Sequence, residues 1–209
     1  MYRELLVDPD AFFRERAADP SFRGPVVVVL LVAVIGILGS IPVLRLTTAA
    51  LPAQAGPFVP VIAAIGVVGG LVGVLVSWLL YAAAFHVISA VVFGASGRFR
   101  TTFALVGWGF VPSIPQAVIS AAVTAVVFTG ATLPSDPNRL QGTIQGLRHE
   151  PLFVVASVLG IAFLAWRAVL WTFAVRYARS LTLREAALTI VLPVLVALAL
   201  ALLGLLGVF

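Results

Sequence analysis

One arginine and one histidine stand inside otherwise apolar runs of this 209-residue chain, and their chemistry needs a setting. Arg167 lies nine residues, about 13 Å of helix, before Arg176, and His86 lies eight residues, about 12 Å, before Gly94. If both segments cross a bilayer in the same direction, the two side chains sit at comparable depth. An uncompensated arginine there costs about 2.5 kcal/mol or more, and no acidic residue stands in any apolar run to pair with it. Tyr81, Ser89 and Trp108 can join the pair when the second, third and fourth runs pack together. The pattern points to a polar pocket for an anionic headgroup or small anion, with Arg167 as the charge and His86 as a pH-sensitive partner. The plainer alternative is an Arg167 that snorkels to lipid phosphates or caps kinked-helix carbonyls, with His86 a neutral interhelical hydrogen bonder. Trp166 and Trp171 read first as interface anchors.

No catalytic signature accompanies these residues. There is no HExxH, no GxSxG and no pair of carboxylates within an apolar run, and the histidines are His86 and His149 alone. Catalytic residues, cofactors and a metal site are therefore not expected. The absence of cysteine excludes disulfides, thiolate chemistry and Cys-ligated metals.

The elements that must position the polar residues are five apolar runs, at about 25–44, 58–93, 103–129, 152–175 and 186–207. Each meets or exceeds the roughly 20 residues that cross a hydrocarbon core about 30 Å thick. The chain is 62% hydrophobic and 10% charged, with a mean hydropathy of +1.16, and segments apolar on every face leave a soluble fold nowhere to put its surface. The runs are rich in Val, Leu, Ala and Gly and lack strand-like alternation. The expected fold is all-α, a polytopic integral membrane bundle of five transmembrane helices over 25–209, behind an N-terminal segment, 1–24.

The net charge of +5 comes entirely from arginine, spread over the seams between runs. A nucleic-acid binder would cluster it on a solvated face, so nucleic acid is not an expected partner. Placing the N-terminus in the cytoplasm puts Arg3, Arg14, Arg16, Arg23, Arg98, Arg100, Arg176, Arg179 and Arg184 inside and only Arg45, Arg139 and Arg148 outside. The positive-inside rule then predicts N-in and C-out. A cleavable signal peptide is not expected, because 24 mixed-charge residues precede the first run.

Local signals add detail. Asp8-Pro9 reads as a helix N-cap followed by proline at the first position, with a helix through Ala18 lying in the cytoplasmic interface, Phe12 and Phe13 inward. The second run, about 54 Å long as one helix, must tilt, protrude or begin as an interfacial lead-in around 58–64. Its Gly66/Gly70 and Gly69/Gly73 patterns predict the main helix contact of that span, within the chain in the first reading and between chains in the alternative. Pro112 and Pro115 predict a kink between about Phe110 and Ile119, with Gln116 beside it to satisfy a freed carbonyl. Pro42 and Pro193 should perturb the first and fifth spans. A short surface helix is expected after Ser135-Asp136-Pro137, and Thr182-Leu183-Arg184-Glu185 is a capping box opening the fifth span.

Two short motifs carry a family resemblance. Asp19-Pro20-Ser21-Phe22-Arg23-Gly24-Pro25 enters the first span, and Gly107-Trp108-Gly109-Phe110-Val111-Pro112 lies in the third. With five spans behind a short N-terminal segment, the chain resembles the Yip1-domain family. Asp19, Gly24 and Pro25 would take the places of its acidic-to-Gly-Pro motif, and Gly107, Trp108 and Pro112 those of its Gly-Tyr motif followed by proline. The resemblance implies a non-enzymatic membrane protein; eukaryotic relatives take part in vesicle trafficking and associate with prenylated small GTPases and with one another. The lysine-free, arginine-only composition looks like a prokaryotic GC-rich genome, and the expected home is a prokaryotic cell membrane. The expected role is membrane-organising, scaffold or trafficking-like, through helix and lipid contacts, with membrane lipids, other membrane proteins or further copies of the chain as partners. The alternative is a small-molecule or ion carrier or channel subunit.

Overall fold

The computed structural model describes residues 2–49, 51, 53–131, 142–143, 146–147 and 150–206. Two short helices, α1 (Tyr2–Val7) and α2 (Pro9–Ala18), precede the long α3 (Arg23–Ala49). A 3-10 segment (Ala53–Phe58) leads into α4 (Val59–Phe93). Then come α5 (Phe99–Trp108), α6 (Ser113–Thr129), α7 (Pro151–Arg179) and α8 (Leu183–Leu205). Four helices, α3, α4 with its lead-in, α7 and α8, are each long and apolar enough to cross a membrane; α5 and α6, bent by 48°, make a fifth span when taken together. The bundle turns Val, Leu and Ile outward, as at Val91, which is 79% exposed. Water would penalise such a surface and hydrocarbon does not. The protein is a polytopic all-α membrane bundle.

The ends of the helices follow from their sequence. Asp8 accepts from the Ala11 amide at 3.0 Å, capping α2. Gly94 takes φ 61° and closes α4 with its amide on the Ala90 carbonyl at 3.1 Å. Thr182 and Glu185 cap each other's backbone at the start of α8, as the capping-box spacing predicts. The helical lead-in to α4 comes earlier than 58–64, and α3 and α8 run as single helices through Pro42 and Pro193.

Packing places α6 between α3 and α7, with α5 held among α3, α4 and α7 and α8 closing against α7 and α4. The core is densest where α3 begins and where α4 and α7 end. Trp78, Phe85, Val106, Trp171 and Val175 are buried there. Three expectations are corrected by this packing. Phe12 and Phe13 do not lie in the lipid interface: they are 1% and 0% exposed, inside the protein core. The reason is that α2 docks on α7, where Arg176 pairs with Asp10, and on Trp108, which meets the Phe12 ring edge-on at 5.2 Å. Trp171 is no interface anchor either; it is fully buried.

The third correction concerns the glycines of α4. A Cβ placed at Gly66, Gly69 or Gly73 would meet nothing within 4 Å, and one at Gly70 would meet only the flexible Ile37 side chain at 3.2 Å. Among the described residues little covers the early part of α4, so the stripe is not the main helix contact within that part of the chain. The close approach is made instead by α3 and α6, where a Cβ at Gly39 would stand 2.7 Å from that of Ala121. The expected surface helix after Ser135, the His149 side chain and the Phe209 terminus lie outside the described residues.

Candidate functional site

The site is organised by the break between α5 and α6. From Gly109 to Pro112 the backbone makes turn-type bonds, such as Gly109 N–H to the Val106 carbonyl at 3.0 Å and Phe110 N–H to that of Gly107 at 3.2 Å. Pro112 has no amide to continue the ladder. The kink lies at residues 109–112, at the near end of the expected interval; Pro115 falls in the first turn of α6, where a missing amide costs little. Two indoles brace the α5 carbonyls on either side. Trp78 Nε1 donates to the Phe103 carbonyl at 2.8 Å and Trp171 Nε1 to that of Val106 at 3.1 Å.

Both segments that carry the family resemblance meet here. A Cβ at Gly24 would overlap the Trp108 ring, and one at Gly107 would stand 2.7 Å from Pro25 Cβ and 2.8 Å from the Trp78 ring. Glycine is required at both positions so that α3 and α5 can touch. A Cβ at Gly109 would likewise overlap the Trp171 indole. Asp19 stays on the surface, at the mouth of a cleft shared with Trp108. Pro112 sits at the break.

Arg167 points from α7 towards the start of α6. Its Nη1 donates to Ser113 Oγ at 3.2 Å, its guanidinium carbon stands 5.3 Å from the Trp171 ring, and its Nε is buried without a hydrogen-bond partner among the described residues. It lines a groove of about 330 Å³ with Ser77, Tyr81, Ser113, Gln116 and Ser120. A second cavity, about 310 Å³, shares Gln116, Ser120 and Arg167 and reaches Ser157 and Gly160 on the other side. Ser113, Gln116 and Ser120 recur at helical spacing, i, i+3, i+7, so a polar face of α6 is present in the sequence as a signal. From sequence Gln116 reads only as a carbonyl partner, and it is the fold that brings Ser77, Ser113 and Ser120 beside it.

The other candidates do not all converge on Arg167. Tyr81 does, lining the groove and packing on Trp171 with centroids 4.4 Å apart. His86 instead faces α5, with Nδ1 3.3 Å from Thr102 Oγ1 and its ring edge-on to Phe99. Ser89 receives Arg179 Nε at 2.9 Å, and Trp108 belongs to the α2 contact. Arg179, read in the sequence only as a topology charge, is 2% exposed; its Nη1 and Nη2 donate to the Gly97 and Ala95 carbonyls at 2.7 and 2.6 Å. Depth along the helices is legible from spacing, whereas azimuth is not. Two residues at similar depth therefore found different partners.

The family model described as Yip1 domain matches residues 3–205. An uncharacterised protein of Methanocaldococcus jannaschii is 26% identical over 121 residues, covering 57% of this chain and 85% of that protein. No solved structure matches the chain significantly. With the match running from α1 to the end of α8, and the Gly24-Pro25 and Gly107-Trp108 segments packed on each other, the chain belongs to the Yip1 domain family.

Proposed function

We propose that this is a non-enzymatic membrane protein that binds an anionic lipid headgroup at the Arg167 groove and organises the surrounding membrane through helix and lipid contacts. The observation that carries the reading is the buried, unpartnered Arg167 Nε beside a groove lined by hydroxyls and an amide. A guanidinium with one neutral acceptor, at the positive end of the α6 dipole, calls for an anion. An apolar cleft of about 420 Å³ between α4 and α8 shares Ser77 and Tyr81 with the groove, so headgroup and acyl chain have adjoining places. Native mass spectrometry of the purified protein is expected to show retained anionic lipid that Arg167→Ala abolishes. Arg167→Lys keeps part of it, because a point charge replaces the guanidinium fork, and His86→Phe leaves it unchanged. Identical retention in wild type and Arg167→Ala would refute the reading.

A carrier remains the second reading, favoured by the two cavities that meet at Gln116, Ser120 and Arg167. Flux of a small anion into reconstituted vesicles, lost in Arg167→Ala, would establish it instead.

The proposed orientation is N-terminus in the cytoplasm. In support, Arg14, Arg16, Arg23, Arg98, Arg100, Arg176, Arg179 and Arg184 lie at the end where α3 begins and α7 stops, with Arg45 near the other. Single cysteines introduced by Ser96→Cys and Leu140→Cys test it in intact cells. A membrane-impermeant maleimide should label the second and spare the first; the reverse would invert the topology.

A further inference from the structure

At the arginine-rich end, away from the Arg167 groove, a further cavity of about 330 Å³ opens between the last turn of α2 and the first turn of α3. Arg16, Asp19, Ser21, Arg23, Gly24 and Trp108 line it. Arg16 is held in place by aromatic faces: its guanidinium carbon stands 3.7 Å from the Phe12 centroid and 5.4 Å from that of Trp108. Its Nη1 is buried without a hydrogen-bond partner, and no carboxylate pairs with it among the described residues. Arg23 adds an exposed second guanidinium, its own amide directed to Ser21 Oγ at 3.3 Å. The 27-residue helix α3 starts at Arg23, so the positive end of its dipole faces the same space.

We infer that this cleft is a phosphate-binding site, held by Arg16 and Arg23, for the headgroup of an anionic phospholipid or a free phosphate. Two guanidiniums with one carboxylate among them leave a net positive charge, and guanidinium forks match phosphate oxygens. The cleft stands where the first apolar run begins, so a bilayer around that run would bring its headgroups to this end of α3. Prefixing α2 on α7 through Asp10 and Arg176 holds Arg16 in place before any ligand arrives, which lowers the ordering cost of binding.

The test uses the full chain in a maltoside detergent, which carries no phosphate. The cysteine introduced by Ser21→Cys lines the cleft, and one introduced by Ser96→Cys, exposed at the same end, is the control. Short-chain phosphatidylglycerol is expected to slow maleimide labelling at position 21, and not at 96, with half-protection shifted at least about tenfold upward by Arg16→Gln or Arg23→Gln. Arg98→Gln and Arg167→Ala should leave the protection intact, which separates this site from general attraction and from the Arg167 groove. Because Arg23 is exposed, its variant keeps the fold and the measurement stands even if Arg16→Gln unfolds. Protection by inorganic phosphate as well assigns the site to free phosphate compounds; protection by the lipid alone assigns it to the headgroup. No protection by either ligand, or equal protection in Arg23→Gln, overturns the inference.

Discussion

Arg179→Met is expected to lower the thermal midpoint of the detergent-solubilised protein more than the same change at exposed Arg184 or Arg98. Three donors of Arg179 hold Ser89 Oγ and the Gly97 and Ala95 carbonyls, tying the connection between α4 and α5 to the end of α7. That connection cannot relax freely to find substitutes. Gly94 and Gly97 both occupy positive φ, 61° and 122°, and a Cβ at Gly97 would stand 2.5 Å from the Ala178 carbonyl oxygen. Removing the guanidinium leaves carbonyls facing a methionine, at a cost of about 3 kcal/mol. Arg179→Lys should recover only part of this, because one ammonium cannot reproduce a fork spread over three acceptors. Tryptophan fluorescence during heating reads the effect; equal midpoints for Arg179→Met and Arg184→Met would show that the three bonds contribute nothing net.

The second large effect is expected at Gly107. Gly107→Val drives a branched side chain into Pro25 and Trp78, neither of which can yield easily: Trp78 stacks on Phe103 at 4.0 Å and donates to its carbonyl. Overpacking of this kind costs about 2 kcal/mol or more. Gly69→Ala is the matched control, since its Cβ meets nothing, and replacing a helical glycine should gain up to about 0.8 kcal/mol. Thermal unfolding of the two variants in one detergent decides the matter. If Gly69→Ala proves the more damaging, the α4 glycines face another copy of the chain or another protein.

The sequence by itself determined the class of the protein, its long apolar runs and the seams that carry charge. These depend on the burial of one segment at a time: a run of about 20 apolar residues needs hydrocarbon whatever its neighbours are, and caps such as Asp8 and Thr182 act within one turn. Arg167 as the residue that needs an acceptor was legible for the same reason. Tertiary structure alone decided which acceptors it reaches, and that His86 turns to Thr102 while Ser89 serves Arg179. It also decided that Phe12 and Phe13 are core residues and that helices touch at Gly39, Gly107 and Gly109 while Gly66, Gly69 and Gly73 stay open. A glycine permits close approach but cannot summon a partner helix. In a bilayer every apolar face is satisfied by lipid, so the choice of face rests on packing shape and polar contacts between segments far apart in the chain, which local spacing does not encode.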